Sequence, residues 1–200
     1  MIPMWIKIPY TVFVLVLVPV YWIKLGPQNF FWACDIALIA TVFALWLESR
    51  LLASTMAIAV ILPELVWNLD FFTRLAAGHD VIGLDLTGYM FSQENPPLLR
   101  NLSLFHVFLG LLLIWLVYRL GYDRRAIWVQ TLITWTVLPM SYWFTDPARN
   151  INFVHGIGNL QQTWLPGPVW VGLLMVLFPM LVYIPTHLAL KSFFAHHAHV

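Results

Sequence analysis

Six long apolar runs, each nearly free of charge, restrict what this chain can become more than any motif does. Residues 8–23 contain no Asp, Glu, Lys or Arg, and comparable runs occupy 30–47, 51–69, 103–120, 126–145 and 167–190. A hydrocarbon core about 30 Å thick takes roughly 20 apolar residues of helix, so each run meets or approaches the length of a crossing. A water-facing fold has no polar shell to cover so much apolar sequence. Hydrophobic residues make up 61% of the chain and charged residues 10%, against roughly 25% charged in a soluble domain. The expected fold is all-α, a polytopic bundle of six transmembrane helices forming one integral membrane domain over 1–200.

Aromatic residues at the run ends, among them Tyr21, Trp22, Trp67, Tyr118, Trp143 and Trp164, suit the lipid–water boundary. The first run ends in Lys24-Leu25-Gly26-Pro27 with no small-x-small cleavage pattern, so it reads as a retained helix. Prolines inside several runs (Pro19, Pro63, Pro139, Pro179 and Pro185) predict kinks that neighbouring helices tolerate. Loops one, two and four (24–29, 48–50, 121–125) are short, whereas loops three and five (70–102, 146–166) are long. Loop three is expected to carry an amphipathic piece, Asp70-Phe71-Phe72-Thr73-Arg74-Leu75. Its segment 81–91 is too short to span and contains Asp85, so it reads as an interfacial or re-entrant lid.

Orientation follows from Lys and Arg. With the amino terminus inside, the inner side holds Lys7, Arg50, Arg119, Arg124, Arg125 and Lys191, and the outer side Lys24, Arg74, Arg100 and Arg149. The positive-inside rule then leans toward cytoplasmic termini. A net charge of +1, with no basic patch beyond Arg124-Arg125, speaks against nucleic acid as a partner. The single cysteine forms no internal disulfide.

Six crossings bring loops one, three and five to one face whatever the orientation. At about 1.5 Å per residue, Cys34 lies about 6 Å and His106 about 5 Å below that face, and Glu64 about 9 Å. Asp35 adjoins Cys34, and Ser141 lies near the matching end of the fifth run. A Cys–His pair is a recurring device for covalent acyl transfer. A helix start near the thiol favours the reactive thiolate and offers N–H groups to an oxyanion. Intramembrane carboxylates and imidazoles are costly enough to be functional candidates. Cys34 and His106 are therefore the expected catalytic pair, with Asp35 and Glu64 in support. Plainer readings stand beside these: Cys34 as a small packing residue, His106 as an interfacial hydrogen-bonding group, Asp35 as a helix-start carboxylate. Depth does not say which way each side chain turns.

His155 in loop five is either a substitute base or a solvated loop histidine. The tail His196-His197-Ala198-His199 reads as solvated. No HExxH, CxxC, Walker or dinucleotide motif occurs, so no cofactor and no metal is expected. His106 and His187 fall at opposite depths, which leaves only single-histidine haem ligation open.

The segments Phe31-Trp32-Ala33-Cys34-Asp35-Ile36 and Ser103-Leu104-Phe105-His106, with Asn150, Asn152 and Gly167-Pro168-Val169-Trp170, resemble elements of the YwaF-like bacterial membrane proteins. That resemblance covers most of the chain. It implies a bacterial inner membrane and kinship with eukaryotic ether-phospholipid acyltransferases, which maps Cys and His roles onto Cys34 and His106. It also implies kinship with androgen-induced-type hydrolases of fatty-acid esters of hydroxy fatty acids, which use Thr in place of Cys. The leading expectation is a lipid hydrolase or acyltransferase with a membrane lipid as substrate. The alternative is a non-catalytic subunit contacting lipid or pigment and partner membrane subunits.

Overall fold

A computed structural model describes residues 1–158 and 160–194; the histidine tail at 196–199 lies outside them. Four helices are long and apolar enough to cross a membrane. They are α1 (Met4–Leu25), α3 (Arg50–Ala77), Pro97–Leu120 and Gly167–Phe194. The third is built from α5 (Pro97–Ser103) and α6 (Phe105–Leu120), broken at Leu104. The fourth joins α8 (Gly167–Phe178) to α9 (Ile184–Phe194) through a π-helical turn at Pro179–Tyr183. Two further apolar helices are α2 (Ala33–Leu47) and α7 (Ala126–Phe144). Length holds α2 back, at 15 residues. In α7 the polar side chains Gln130, Thr131, Thr134 and Thr136 dilute the apolar content.

Helix α3 is the axis of the bundle. Residues 53–61 are buried without interruption, as expected of a helix that is apolar on every side. Ala53, Ser54, Ala57 and Ala59 let neighbours approach closely, and α2, α6 and α7 pack around it. By contrast α1 and α8 keep large apolar side chains such as Trp5, Leu15 and Val176 exposed.

Proline explains one inter-helix tie. Pro179 has no N–H to give the carbonyl four residues back, at Met175. Trp135 Nε1 donates to that freed oxygen at 2.8 Å, joining α7 to α8.

Polar contacts sort the loops into two ends. At one, Asp146 N–H donates to Gln28 Oε1 at 2.8 Å, and the Arg149 guanidinium donates to the Leu25 carbonyl. Gly158 backs onto the Leu84 carbonyl so closely that a Cβ would lie 2.6 Å away. Loops one, three and five therefore meet. At the other end Lys7 Nζ reaches Glu48 Oε1 at 2.8 Å, Asp123 N–H donates to Ser54 Oγ at 2.9 Å, and Arg50 donates to the Tyr122 carbonyl.

Three local expectations need correction. Residues 70–75 are not loop; they extend α3 to Ala77, where Gly78 ends the helix with φ 78°. Within 81–91 only α4 (Gly88–Phe91), a single turn, is helical. The second apolar run opens as a 3-10 turn, Pro27–Phe31, so Cys34 is the second residue of α2. A two-residue hairpin, Gly156–Ile157 with Leu160–Gln161, is the strand content of the described residues.

Candidate functional site

On α3, Glu64, Trp67 and Asn68 follow the three- and four-residue spacing that puts side chains on one face. That face meets α6, where His106 and Gly110 are also four apart. His106 Nδ1 lies 2.7 Å from Glu64 Oε2. Gly110 leaves room for the acid, since a Cβ there would already touch Glu64 Cβ at 3.5 Å. Asn68 Nδ2 donates to the Glu64 carbonyl at 2.7 Å and to the His106 carbonyl at 2.9 Å, locking the helices in register. The imidazole stacks on Trp67, with centroids 4.6 Å apart, and on Phe105 at 4.1 Å.

Asp35, in the first turn of α2, is 2% exposed and Glu64 is 3% exposed. Asn29 Nδ2 donates to Asp35 Oδ2 at 2.8 Å. Each carboxylate has one more oxygen, Asp35 Oδ1 and Glu64 Oε1, buried without a partner, and Trp67 Nε1 is in the same condition. A stranded buried polar atom costs about 1–3 kcal/mol, and the two carboxylates lie within electrostatic reach of each other, so they form a buried polar cluster with unmet hydrogen-bonding capacity. The Cys34 thiol neighbours this cluster. It lies by the backbone N–H groups of Cys34 and Asp35, within electrostatic reach of both carboxylates.

Further polar groups close the pocket. The Tyr21 hydroxyl and Ser103 Oγ are 2.7 Å apart. Tyr89 approaches from loop three, its hydroxyl near Trp67 and Ser103, and burial raises the pKa of its phenol. Loop three is pinned from below by Asp70, fully buried, whose Oδ2 accepts from Thr87 N at 2.8 Å and Thr87 Oγ1 at 2.6 Å.

Of the four residues expected from sequence, His106 and Glu64 are in direct contact. Asp35 shares the pocket but pairs with Asn29. Among the described residues no hydrogen bond joins Cys34 to His106. His106 is the second residue of α6, with α5 preceding it across the break at Leu104. Ser141 is fully buried and accepts from Asn152 Nδ2 at 3.0 Å. His155 stacks on Tyr142 with centroids 5.1 Å apart, its Nε2 buried without a partner, and burial lowers its pKa. His187 lies at the other end, its Nδ1 2.6 Å from the Tyr122 hydroxyl. No group of three His, Cys, Asp or Glu side chains converges for a metal ion among the described residues.

The residue that sequence reasoning undervalued is Asn152. Its Oδ1 accepts the Ala33 N–H at 3.1 Å, and its Nδ2 donates to the Phe31 carbonyl at 2.7 Å. It thereby fixes the start of α2 one residue before Cys34. Tyr89 and Trp67 were legible only as aromatics near a membrane face.

Chemically, the Glu64 contact at Nδ1 fixes the His106 ring and leaves Nε2 for another partner, the arrangement of an oriented general base. The free N–H groups at the start of α2 suit an oxyanion. Comparison with protein-family models, curated proteins and solved structures found no match.

Proposed function

We propose that this chain is a membrane-embedded lipid hydrolase or acyltransferase, in which Cys34 is the nucleophile, His106 the base and Glu64 the group that orients it. The observation that carries this reading is the 2.7 Å His106–Glu64 hydrogen bond, with the chain's only cysteine within electrostatic reach of the same carboxylate. Asp35, beside the thiol, tunes its charge. The sequence resemblance to the YwaF-like proteins points the same way. Six crossings, with cytoplasmic termini in a bacterial inner membrane, are part of the proposal, and the sorting of loops to two ends supports the count.

The thiol proton moves to His106 Nε2 as sulfur attacks the ester carbonyl of a membrane lipid. Backbone N–H groups of α2 receive the oxyanion. Collapse expels the alcohol, which takes the proton back from His106 and leaves a thioester on Cys34. Water or an acceptor hydroxyl, deprotonated by His106, attacks the thioester; release of fatty acid or a new ester restores the thiol. Because Cys34 and His106 are not bonded in the unliganded protein, the lipid closes that gap, as catalytic contacts often tighten only in the substrate complex. Loop three, with Tyr89 over the pocket, is the lid.

The test is covalent capture of a fatty-acyl ester probe by the full-length protein in proteoliposomes. Cys34→Ala abolishes labelling. His106→Ala slows it by roughly 10²–10⁴, the range of general acid–base catalysis, and Glu64→Gln slows it less. Equal labelling of the Cys34→Ala protein would end the proposal.

The missing Cys34–His106 bond favours a second reading, a non-catalytic subunit whose polar pocket holds a ligand against partner membrane chains. It predicts co-purification with those chains and no acyl capture.

A further inference from the structure

We infer that the groove between α7 and the α8–α9 helix binds an anionic phospholipid, at the end of the bundle opposite the Glu64–His106 pocket. Its walls are bulky and apolar: Trp128 and Leu132 on α7, Met175, Met180 and Ile184 on the other side. Arg124 and His187 stand at one end, and Lys191 and Arg124 both act electrostatically on the His187 ring. Among the described residues no carboxylate pairs with Arg124 or Lys191, while Asp123 is taken by Arg125.

Three features select the occupant. The first is depth. From its start at Ala126, just past Arg124, to Trp135, where the Trp135–Met175 tie crosses between the walls, α7 rises about 13.5 Å at 1.5 Å per residue. That is close to half of a hydrocarbon core about 30 Å thick, the depth of one leaflet. The second is charge. The same end carries Lys7, Arg50, Arg119 and Arg125 as well, against Glu48 and Asp123. Such an excess attracts acidic headgroups. The third is wall texture. Membrane helices that dock on one another favour small residues at the seam, whereas this groove is lined by Trp, Leu, Ile and Met, side chains that conform to an acyl chain. The break at Pro179 and the π-helical turn shape its α8–α9 wall.

Full-length protein in detergent is titrated with phosphatidylglycerol and with phosphatidylcholine of the same acyl chains. Thermal unfolding and lipid retained in native mass spectrometry are read together. Phosphatidylglycerol is expected to raise the unfolding midpoint and to be retained, with phosphatidylcholine bound more weakly. The double substitution R124Q/K191Q is expected to weaken phosphatidylglycerol roughly 25-fold, about fivefold for each surface cation. Thr131→Trp, which fills the groove and leaves the cations in place, is expected to displace both lipids. Acyl capture at Cys34 is read in parallel, so failure here is separable from failure of the proposed activity. Equal binding of the two lipids overturns the inference, as does an unchanged preference in the double variant. Retention of lipid by the Thr131→Trp protein, or cross-linking from Trp128 to a second copy of the chain, overturns it too.

Discussion

Asn152 occupies a left-handed backbone position, φ 54°, and joins loop five to loop one, to α2 and to Ser141. Asn tolerates that region better than most residues, and its amide supplies an acceptor and two donors at once. Asn152→Ala leaves the Ala33 N–H and the Phe31 carbonyl without protein partners. At about 1–3 kcal/mol for a stranded buried group, the loss is expected to lower stability by about 2 kcal/mol, read by denaturant unfolding in detergent. Acyl capture should fall with it, because the start of α2 loosens next to Cys34. His155, three residues further on, makes a pH prediction. Burial holds its folded pKa below the ordinary 6.5, so the unfolded chain binds more protons between the two values and stability rises with pH there. The contribution is complete above about 6.5 and is lost as pH falls through that value toward the folded pKa. Trp164 and Trp170 fluorescence should report loosening of loop five on acidification, and His155→Gln should flatten the response. Sequence exposed Asn152 as part of a pattern but not as a clamp, since two of its partners are backbone groups of Phe31 and Ala33, more than a hundred residues away.

Helices are where periodicity and length speak most directly, and the limits of that reading are physical. The apolar runs located α1, α6 and α7 to within a few residues. They stopped α3 too early, because Asp70 and Arg74 look like the start of a loop. Both belong to the helix: Asp70 is buried under loop three and Arg74 reaches Asp80 at 3.4 Å. A charge that is paid back by tertiary partners is indistinguishable in sequence from a solvated one. The same blindness hid what holds loop three, which is not its own secondary structure but the Asp70–Thr87 anchor. Asp70→Ala removes both bonds to Thr87 while leaving the α3 backbone intact. Hydrogen exchange at the amides of 80–91 should accelerate by one to two orders of magnitude, taking about 1.5–3 kcal/mol for a hydrogen bond to a charged group. Protection within 53–61 should stay unchanged. Slow exchange in loop three despite the substitution would mean that the lid is held by something else.

For the molecule as a whole, the open quantity is the number of crossings, and the loop contacts convert it into a discriminating experiment. If all six apolar helices cross, loops one, three and five lie on one side, while loops two and four and the end of α9 lie on the other. If only the four long helices cross and α2 and α7 do not, loop three falls on the same side as the end of α9, and loop five joins loop four. The two schemes sort four exposed positions differently. Six crossings group Gln93 with Ala148 and Arg125 with Ser192; four crossings group Gln93 with Ser192 and Arg125 with Ala148. Single cysteines at these positions, in a Cys34→Ala background, are to be probed with a membrane-impermeant maleimide on intact cells and on inverted vesicles. Six crossings with cytoplasmic termini predict labelling at 93 and 148 from outside and at 125 and 192 from inside. The close approach of Gly158 to the Leu84 carbonyl and the Lys7–Glu48 ion pair are the reason to expect that pattern, because in the four-crossing scheme loop three would have to touch loop five, and the amino-terminal end loop two, through the thickness of the bilayer.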